Sequence, residues 1–520
     1  MSTAPTFTYQ TRINIDSQLA LILDDYACLM STVERKIFAR LMAGQKATDL
    51  KNDFLKEFGI TARQFNSCRV TIEGKIASIK QLRAKDISEV KDKIKRLKSG
   101  IKKSKKKSRK HNMNRRLTKL QNKLSKLKAS QDKKVVSLCF GSKKLFRAQF
   151  HLEKTSYQSH QDWKKAWEEK RNNSFFLLGS KDETSGNQTC KATIATDGSL
   201  TLHIRLPRAL EPKYGKYINI PNVYFKYGHD VILGIIQSSD NNAKKVYTAV
   251  CYRFVRDKKG WKAFASTTFK APEIITNKLY GAVGVDINAG HLAVSETDRF
   301  GNIIDKFSVP VPTYGKSSHQ AKAIIGDACK QVVDFAKKAK KPIVLEKLDF
   351  QRKKNSLRQE KSAKYARMLS SFSYNLITTF IKSRAIRCGV EVGEVNPAYT
   401  SFIGLVKFAQ RYGLSTHHAA ALCIARRFLG FSEQPPRPLE YVYDGKKEYI
   451  ALSLPVRNRG QSLWSFWSRL RKKYLAAHAA HFRAINNRSS DPPKDGSCDR
   501  ASRKLEGENL IRESLTVLLG

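Results

Sequence analysis

The sequence predicts a multidomain α+β protein, and three observations carry that expectation. Its 520 residues exceed what one hydrophobic core organises. Apolar residues recur at three-four spacing in the long stretch from about 18 to 135, the period of amphipathic helices. Beyond 136 the texture changes, first to short alternating runs broken by glycine, then to apolar strands that end in acids and are separated by helical segments.

Taken in order, the chain opens with TFTYQTRINID, where Phe7, Tyr9, Ile13 and Ile15 alternate with polar residues as in a half-buried strand. A helical stretch begins near Gln18. Ile87, Val90, Ile94, Leu97 and Ile101 form one apolar seam, and Leu117, Leu120, Leu124 and Leu127 form another. Two such seams predict an antiparallel helical hairpin. The connection is KKSKKKSRKHNMNRR, with Lys102, Lys103, Lys105, Lys106, Lys107, Arg109, Lys110, Arg115 and Arg116. A run of this charge reads either as a solvated, mobile loop or as a nucleic-acid-facing tip. Its place at the end of a hairpin favours the tip, because cations there reach a phosphate backbone without disturbing the packed seam.

From 136 to about 275 the chain reads as a mostly antiparallel β module, drawn as a small barrel with a helical insertion around Trp163. CKATIAT and SLTLHIRLP flank Asp197-Gly198, a strong hairpin signal that sets Leu202, Ile204 and Leu206 on one face. KVYTAVCYRFVRDKKGWKAFAS repeats the device with a DKKG turn.

From 279 to 430 the order is strand, hairpin, helix, strand, helix, strand, helix. GAVGVDINAG, PIVLEKLDF and VEVGEVNP supply buried strands, HLAVSETDRFGNIIDKF the hairpin, and HHAAALCIARRFLG a closing helix. This predicts an α/β layer with a mixed sheet. Beyond 431 come a Pro-rich turn (EQPPRPLEY), Trp464 and Trp467 in a basic helix, and a polar tail around SSDPPKDGS that is expected to be poorly ordered without a partner.

Charge narrows the partners. Lys and Arg number 97 against 45 Asp and Glu, a formal charge of +52, which points to a polyanion, foremost nucleic acid. The sequence contains no apolar run of about 18 residues and no N-terminal signal pattern, so no membrane partner and a soluble, intracellular protein are expected. Nine cysteines, at 28, 68, 139, 190, 251, 329, 388, 423 and 498, are scattered and form no CxxC pair. Reduced thiols are expected rather than a disulfide scaffold or a zinc ribbon.

The chemistry rests on two acids. Asp286 ends the first buried strand and Glu346 the second. Carboxylates there need a cation or hydrogen bonds. Converging from neighbouring strands, they can hold divalent cations for phosphodiester cleavage, one activating water and the other steadying the leaving oxygen. Taken singly, Asp286 reads as a turn cap and Glu346 as the partner of a lysine.

GVDIN, then IVLEKL some sixty residues on, then an alanine-rich helix is the order of the three RuvC-type nuclease motifs. With GVDINAGHLAVSETDRFGN, IVLEKLDF and NPAYTS, and with FGSKKLFRAQF and GSKDETSGNQTC upstream, the chain resembles the TnpB family of transposon-encoded RNA-guided DNA nucleases, relatives of type V CRISPR effectors. The resemblance spans roughly residues 136 to 430. It implies a wedge-type β-barrel split by an inserted helical recognition lobe, followed by an RNase H-like RuvC domain. The implied division is a first wedge strand at 1–25, a helical lobe at 26–135, the wedge module at 136–278, the nuclease domain at 279–430 and a basic, partly disordered extension at 431–520. It further implies a guide RNA, a double-stranded DNA target, Mg2+ or Mn2+, and a monomeric ribonucleoprotein in the prokaryotic cytoplasm, associated with the nucleoid.

Two departures stand out. The family's four-cysteine ribbon after NPAYTS is absent, since FIGLVKFAQRYGL runs straight to the histidines. Laying Ala419-Ala420-Ala421 on the family's Asn-Ala-Ala puts His417 where the third acidic ligand stands. The resemblance therefore implies Asp286, Glu346 and His417 as catalytic metal ligands, or else a domain that keeps its targeting without its chemistry. Imidazole keeps a donor but removes a negative charge and favours softer metals than magnesium. His418, turned about 100° away round the helix, reads as a packed or surface histidine. Glu391, Glu394 and Asp349 are spare acids that read as surface charges.

Overall fold

The computed structural model describes residues 5–104, 106–133, 136–240, 247–288, 290–347, 374–434, 441–443, 449–452, 460 and 462–488. The chain divides into two compact units, Met1–Lys270 and Ala271–Gly520. Both mix helices with sheet.

In the first unit strand β1 (Thr6–Arg12) leads into helices α1 (Ser17–Met42), α2 (Lys51–Glu57), α3 (Ala62–Lys103) and α4 (Lys107–Asp132). Asp16 caps α1 by accepting from the Leu19 amide at 2.7 Å, and Thr61 with Gln64 forms a capping box at α3. Helices α5 (Lys143–Ala148) and α6 (His160–Arg171) precede β2 (Ser174–Leu177), β3 (Cys190–Ile194), β4 (Leu200–Arg205), the single turn α7 (Glu211–Tyr214), β5 (Tyr217–Val223), α8 (His229–Asp240), β6 (Val250–Asp257) and β7 (Gly260–Thr268). Buried Trp163 anchors α6, its Nε1 donating to the Leu145 carbonyl at 2.7 Å.

The strands form two sheets, β1-β7-β6-β2 and β3-β4-β5, rather than the single small barrel drawn from the sequence. Each expected turn is present, with Gly198 at φ +80° between β3 and β4 and Gly260 at φ +100° opening β7, a conformation that favours glycine. Local turns fix neighbours only, and β1 pairs antiparallel with β7, so that Tyr9 stands opposite Ala265. Tyr26 of α1 stacks on Phe175 of β2 at 4.3 Å, and Phe175 stacks on Phe254 of β6 at 4.9 Å. The core thus joins the helices to the larger sheet.

The basic run differs from its expectation. It is helix rather than a long loop: only Ser104 to Lys106 separates α3 from α4. No glycine or proline interrupts residues 102–116, and the apolar seam continues through it, so the helices extend. Met113 of α4 lies against Gly100 of α3, where a Cβ would come within 2.6 Å of its methyl carbon. Lys102, Lys106, Lys107, Arg109, Lys110, Arg115 and Arg116 are exposed, while Met113, Leu117 and Leu120 are half-buried. Lys105 and the side chain of Lys103 lie outside the described residues.

In the second unit β8 (Val283–Ile287), β9 (His291–Thr297), β10 (Ile303–Pro310), α9 (Ser318–Ala339), β11 (Ile343–Glu346), α10 (Tyr374–Arg387), β12 (Val392–Val395), α11 (Thr400–Gly404) and α12 (Thr416–Phe428) follow the expected order. The sheet order is β10-β9-β8-β11-β12, antiparallel through β10, β9 and β8 and parallel through β8, β11 and β12. Its two faces are read from alternation. Val283, Val285, Ile343 and Leu345 pack against α9 and α10, whereas Ala282, Val344 and Val395 pack against Ile424 and Ala425 of α12.

A short β-hairpin, β13 (Tyr441–Tyr443) with β14 (Tyr449–Ala451), and helix α13 (Leu463–Arg488) complete this unit. Phe466, Trp467, Leu470 and Tyr474 of α13 share a core with Phe402, Leu405 and Phe408 of the FIGLVKF segment. Residues 463–488 of the expected C-terminal extension are therefore packed into this unit, because an apolar stripe on α13 meets the apolar segment that follows NPAYTS. The SSDPPKDGS tail and Asp349 lie outside the described residues. Among the described residues the eight cysteines are free thiols, and no helix is long and apolar enough to cross a membrane.

Candidate active site

Gly284 decides where the closing helix runs. A Cβ at this residue would lie 2.0 Å from the Ala421 carbonyl oxygen, so the backbone of α12 rests directly on β8. Gly404 plays the same part for α11, where a Cβ would approach the backbone of Ala419 and Ala420 to 2.6 Å. The alanine run is thus the contact surface of a helix held close on two sides.

Two residues beyond Gly284, on the same face of β8, stands Asp286. Four residues before Ala421, at the opening of α12, stands His417. Two strand residues and four helix residues each advance about 6 Å, so the helix brings His417 over Asp286. His417 Nδ1 lies 3.1 Å from Asp286 Oδ2. Asp286 is 9% exposed, and Asn288 donates its Nδ2 to the same oxygen at 2.9 Å.

Glu346 reaches this face by register. Ile343 and Val344 of β11 pair in parallel with Val283 and Gly284 of β8. Side chains alternate along a strand, so Glu346, two residues beyond Val344, lies on the face of the sheet covered by α12, as Asp286 does on β8. Its carboxylate Oε1 accepts from the Thr400 hydroxyl, and its carbonyl accepts from the Tyr374 hydroxyl. Glu394 pairs with Leu345 in the next strand, which puts it on the opposite face, where it binds Lys382 Nζ at 2.7 Å. Glu391 is exposed and lies before the start of β12.

The histidines separate in role as the helical offset predicts. Ser415 caps α12 by accepting from the His418 amide at 3.2 Å, and His418 Nδ1 lies 2.8 Å from the same hydroxyl. Its Nε2 lies 3.1 Å from Ser308 Oγ, and Ser295 of β9 donates to its carbonyl at 2.8 Å. His418 is therefore a packing residue that ties α12 to the sheet. Burial chiefly holds its imidazole below the ordinary value, with Lys306 and His417 adding to the shift.

Three neighbours were not singled out from sequence. Asn288 and His291 sit within the quoted GVDINAGH stretch, and Thr400 within NPAYTS. His291 faces His417 edge-on at 5.0 Å between ring centroids. Burial is the main cause that pushes the His291 imidazole down, the neighbouring His417 adds to it, and Asp286 opposes it.

The fold therefore brings Asp286 and His417 into contact and sets Glu346 on the same face by register. Among the described residues no three His, Cys, Asp or Glu side chains are grouped so as to hold a metal ion. By donor type alone, two carboxylates and an imidazole would suit Mn2+ better than Mg2+, because Mn2+ accepts a nitrogen donor more readily.

No family model matches the sequence, and no curated protein matches it. Among solved structures, the T. thermophilus RuvC in complex with a Holliday junction substrate overlaps 28% of this chain and 88% of its own, at 14% identity and a TM-score of 0.20. The CRISPR-Cas12f ternary complex covers 81% of this chain and 98% of its own at 12% identity and a TM-score of 0.18. The Cas12i1 R-loop complex before target DNA cleavage covers 85% and 51% at 11% identity and a TM-score of 0.16. Overlaps of this extent do not establish a shared fold or activity.

Proposed function

We propose that this protein is an RNA-guided DNA-binding protein and metal-dependent DNA endonuclease of the TnpB type, associated with a transposon. The observation behind the reading is the position of Asp286 and Glu346 on one face of neighbouring parallel strands, with His417 at 3.1 Å from Asp286. The resemblance of the ordered motifs to that family and the charge of +52 support it from the sequence side.

Asp286, Glu346 and His417 would hold Mg2+ or Mn2+, which when bound supplies an activated water and steadies the leaving oxygen of the phosphodiester. Asn288 holds the Asp286 carboxylate in place through its 2.9 Å hydrogen bond. The exposed cations of α3 and α4 bind phosphates of the guide or target by charge, without reading sequence.

A second reading, guided DNA binding without cleavage, is favoured by the imidazole at position 417, which leaves the site one negative charge short of the three acids that the resemblance implies. The two are separated by purifying the protein, sequencing the RNA that accompanies it, and incubating the ribonucleoprotein with a matched plasmid in Mg2+ or Mn2+. Guide-dependent cutting supports the nuclease. Guided binding with no cutting under either ion supports the second reading, and elution free of RNA at moderate salt refutes both.

A further inference from the structure

Thr400 is 1% exposed, and its hydroxyl donates to Glu346 Oε1 while lying 3.0 Å from the Pro397 carbonyl. The residue before it, Tyr399, has φ 63° and ψ 9°. A bulky residue in the left-handed region persists only where its surroundings hold it there.

Those surroundings come from two helices. Arg427 of α12 donates Nη1 to the Asn396 carbonyl and, at 3.0 Å, to the Ala398 carbonyl. Its guanidinium lies 5.3 Å from the ring centre of Trp464, in the first turn of α13, and the Tyr399 ring lies 5.7 Å from that same indole. Asn396 Oδ1 accepts from the Ala398 amide at 2.9 Å, closing the turn from within. Residues 396–399 are thus gripped between the end of α12 and the start of α13, and the grip delivers the Thr400 hydroxyl to the Glu346 carboxylate.

We propose that Thr400 is a positioning residue for Glu346 and that α13 braces it through Trp464, Arg427 and the left-handed backbone of Tyr399. The proposal rests on the reading of Glu346 as a metal ligand. It gives residues 463–488 a part in the site. Without the brace the turn relaxes, the hydroxyl withdraws, and the Glu346 carboxylate loses the bond to Thr400 that helps to fix its rotamer.

The test uses the full chain freed of nucleic acid, with Mn2+ binding followed by electron paramagnetic resonance and amide exchange followed without metal. Thr400→Val, close in shape but lacking the hydroxyl, is expected to weaken Mn2+ binding by about 10–100-fold, and Thr400→Ser to restore most of it. Trp464→Ala, at a residue 44% exposed and so tolerant of truncation, is expected to speed exchange across residues 396–404 and to weaken Mn2+ binding in the same direction. Wild-type Mn2+ affinity in Thr400→Val, alongside a loss in Glu346→Gln, overturns the positioning role. Unchanged exchange in Trp464→Ala overturns the brace. Equal Mn2+ binding by wild type and Glu346→Gln is a distinct result: it removes the ligand reading itself and the positioning role with it.

Discussion

Replacing Gly284 by alanine tests the contact on which the whole site depends. The added methyl would stand 2.0 Å from the Ala421 carbonyl oxygen and 2.9 Å from the Ala425 nitrogen. Ordinary contact begins near 3.4 Å, so strand and helix must part by about 1.4 Å. The obstruction is backbone, hence trimming Ala421 to glycine does not relieve it. Overpacking of this kind costs about 1–3 kcal/mol. For a unit of roughly 250 residues each kcal/mol lowers the melting temperature by about 2–4 °C, so calorimetry should show a fall of about 2–12 °C. The same displacement lifts His417 from Asp286, whose 3.1 Å separation leaves little room before the hydrogen bond is lost. Gly284→Ala should therefore lose Mn2+ binding as well. A variant that melts within about 1 °C of wild type and binds Mn2+ equally would refute the seating of α12 on β8.

Other outcomes follow from the same geometry. His417→Ala should abolish cleavage while leaving guided DNA binding intact, and His417→Asp should retain cutting and improve its use of Mg2+ by restoring a third carboxylate; cleavage by His417→Ala at the wild-type rate would sink the ligand role. Changing Lys102, Lys106, Lys107, Arg109, Lys110, Arg115 and Arg116 to glutamine should flatten the salt dependence of nucleic-acid binding by about one unit of slope per lost phosphate contact, with the melting temperature unchanged because the apolar seam is untouched. At the β6–β7 turn, Arg12 first and Lys262 second hold the Asp257 carboxyl well below the usual carboxylate range. A depressed folded value gives stability that is complete above the unfolded value, about 3.9, and is lost as pH falls through the folded one. Asp257→Asn should therefore melt earlier than wild type at neutral pH, and the gap should narrow progressively below about pH 4 in parallel melts.

Much of this molecule is decided by short-range chemistry, which a sequence carries openly. Alternation puts Leu202, Ile204 and Leu206 on one face whatever lies beyond them, and Asp197-Gly198 turns the chain because glycine accepts a positive φ. The strand-helix order of residues 279–430, the acids at the ends of β8 and β11, and the different headings of His417 and His418 are local in the same sense. Even the basic hairpin follows from its two seams, although most of its charged run is helix because no glycine or proline lies in it. What residues far apart in the chain do to each other was left to the tertiary structure. It pairs β1 with β7, residues at least 250 apart in the chain, and divides the β module into two sheets. It gives Glu394 to Lys382 and Glu346 to Thr400. It also draws α13 into the core beside NPAYTS, where the sequence showed only two tryptophans in a basic helix. These choices turn on which faces meet and how closely, and closeness depends on pairs such as Gly284 with Ala421, whose fit exists only once β8 and α12 lie against each other.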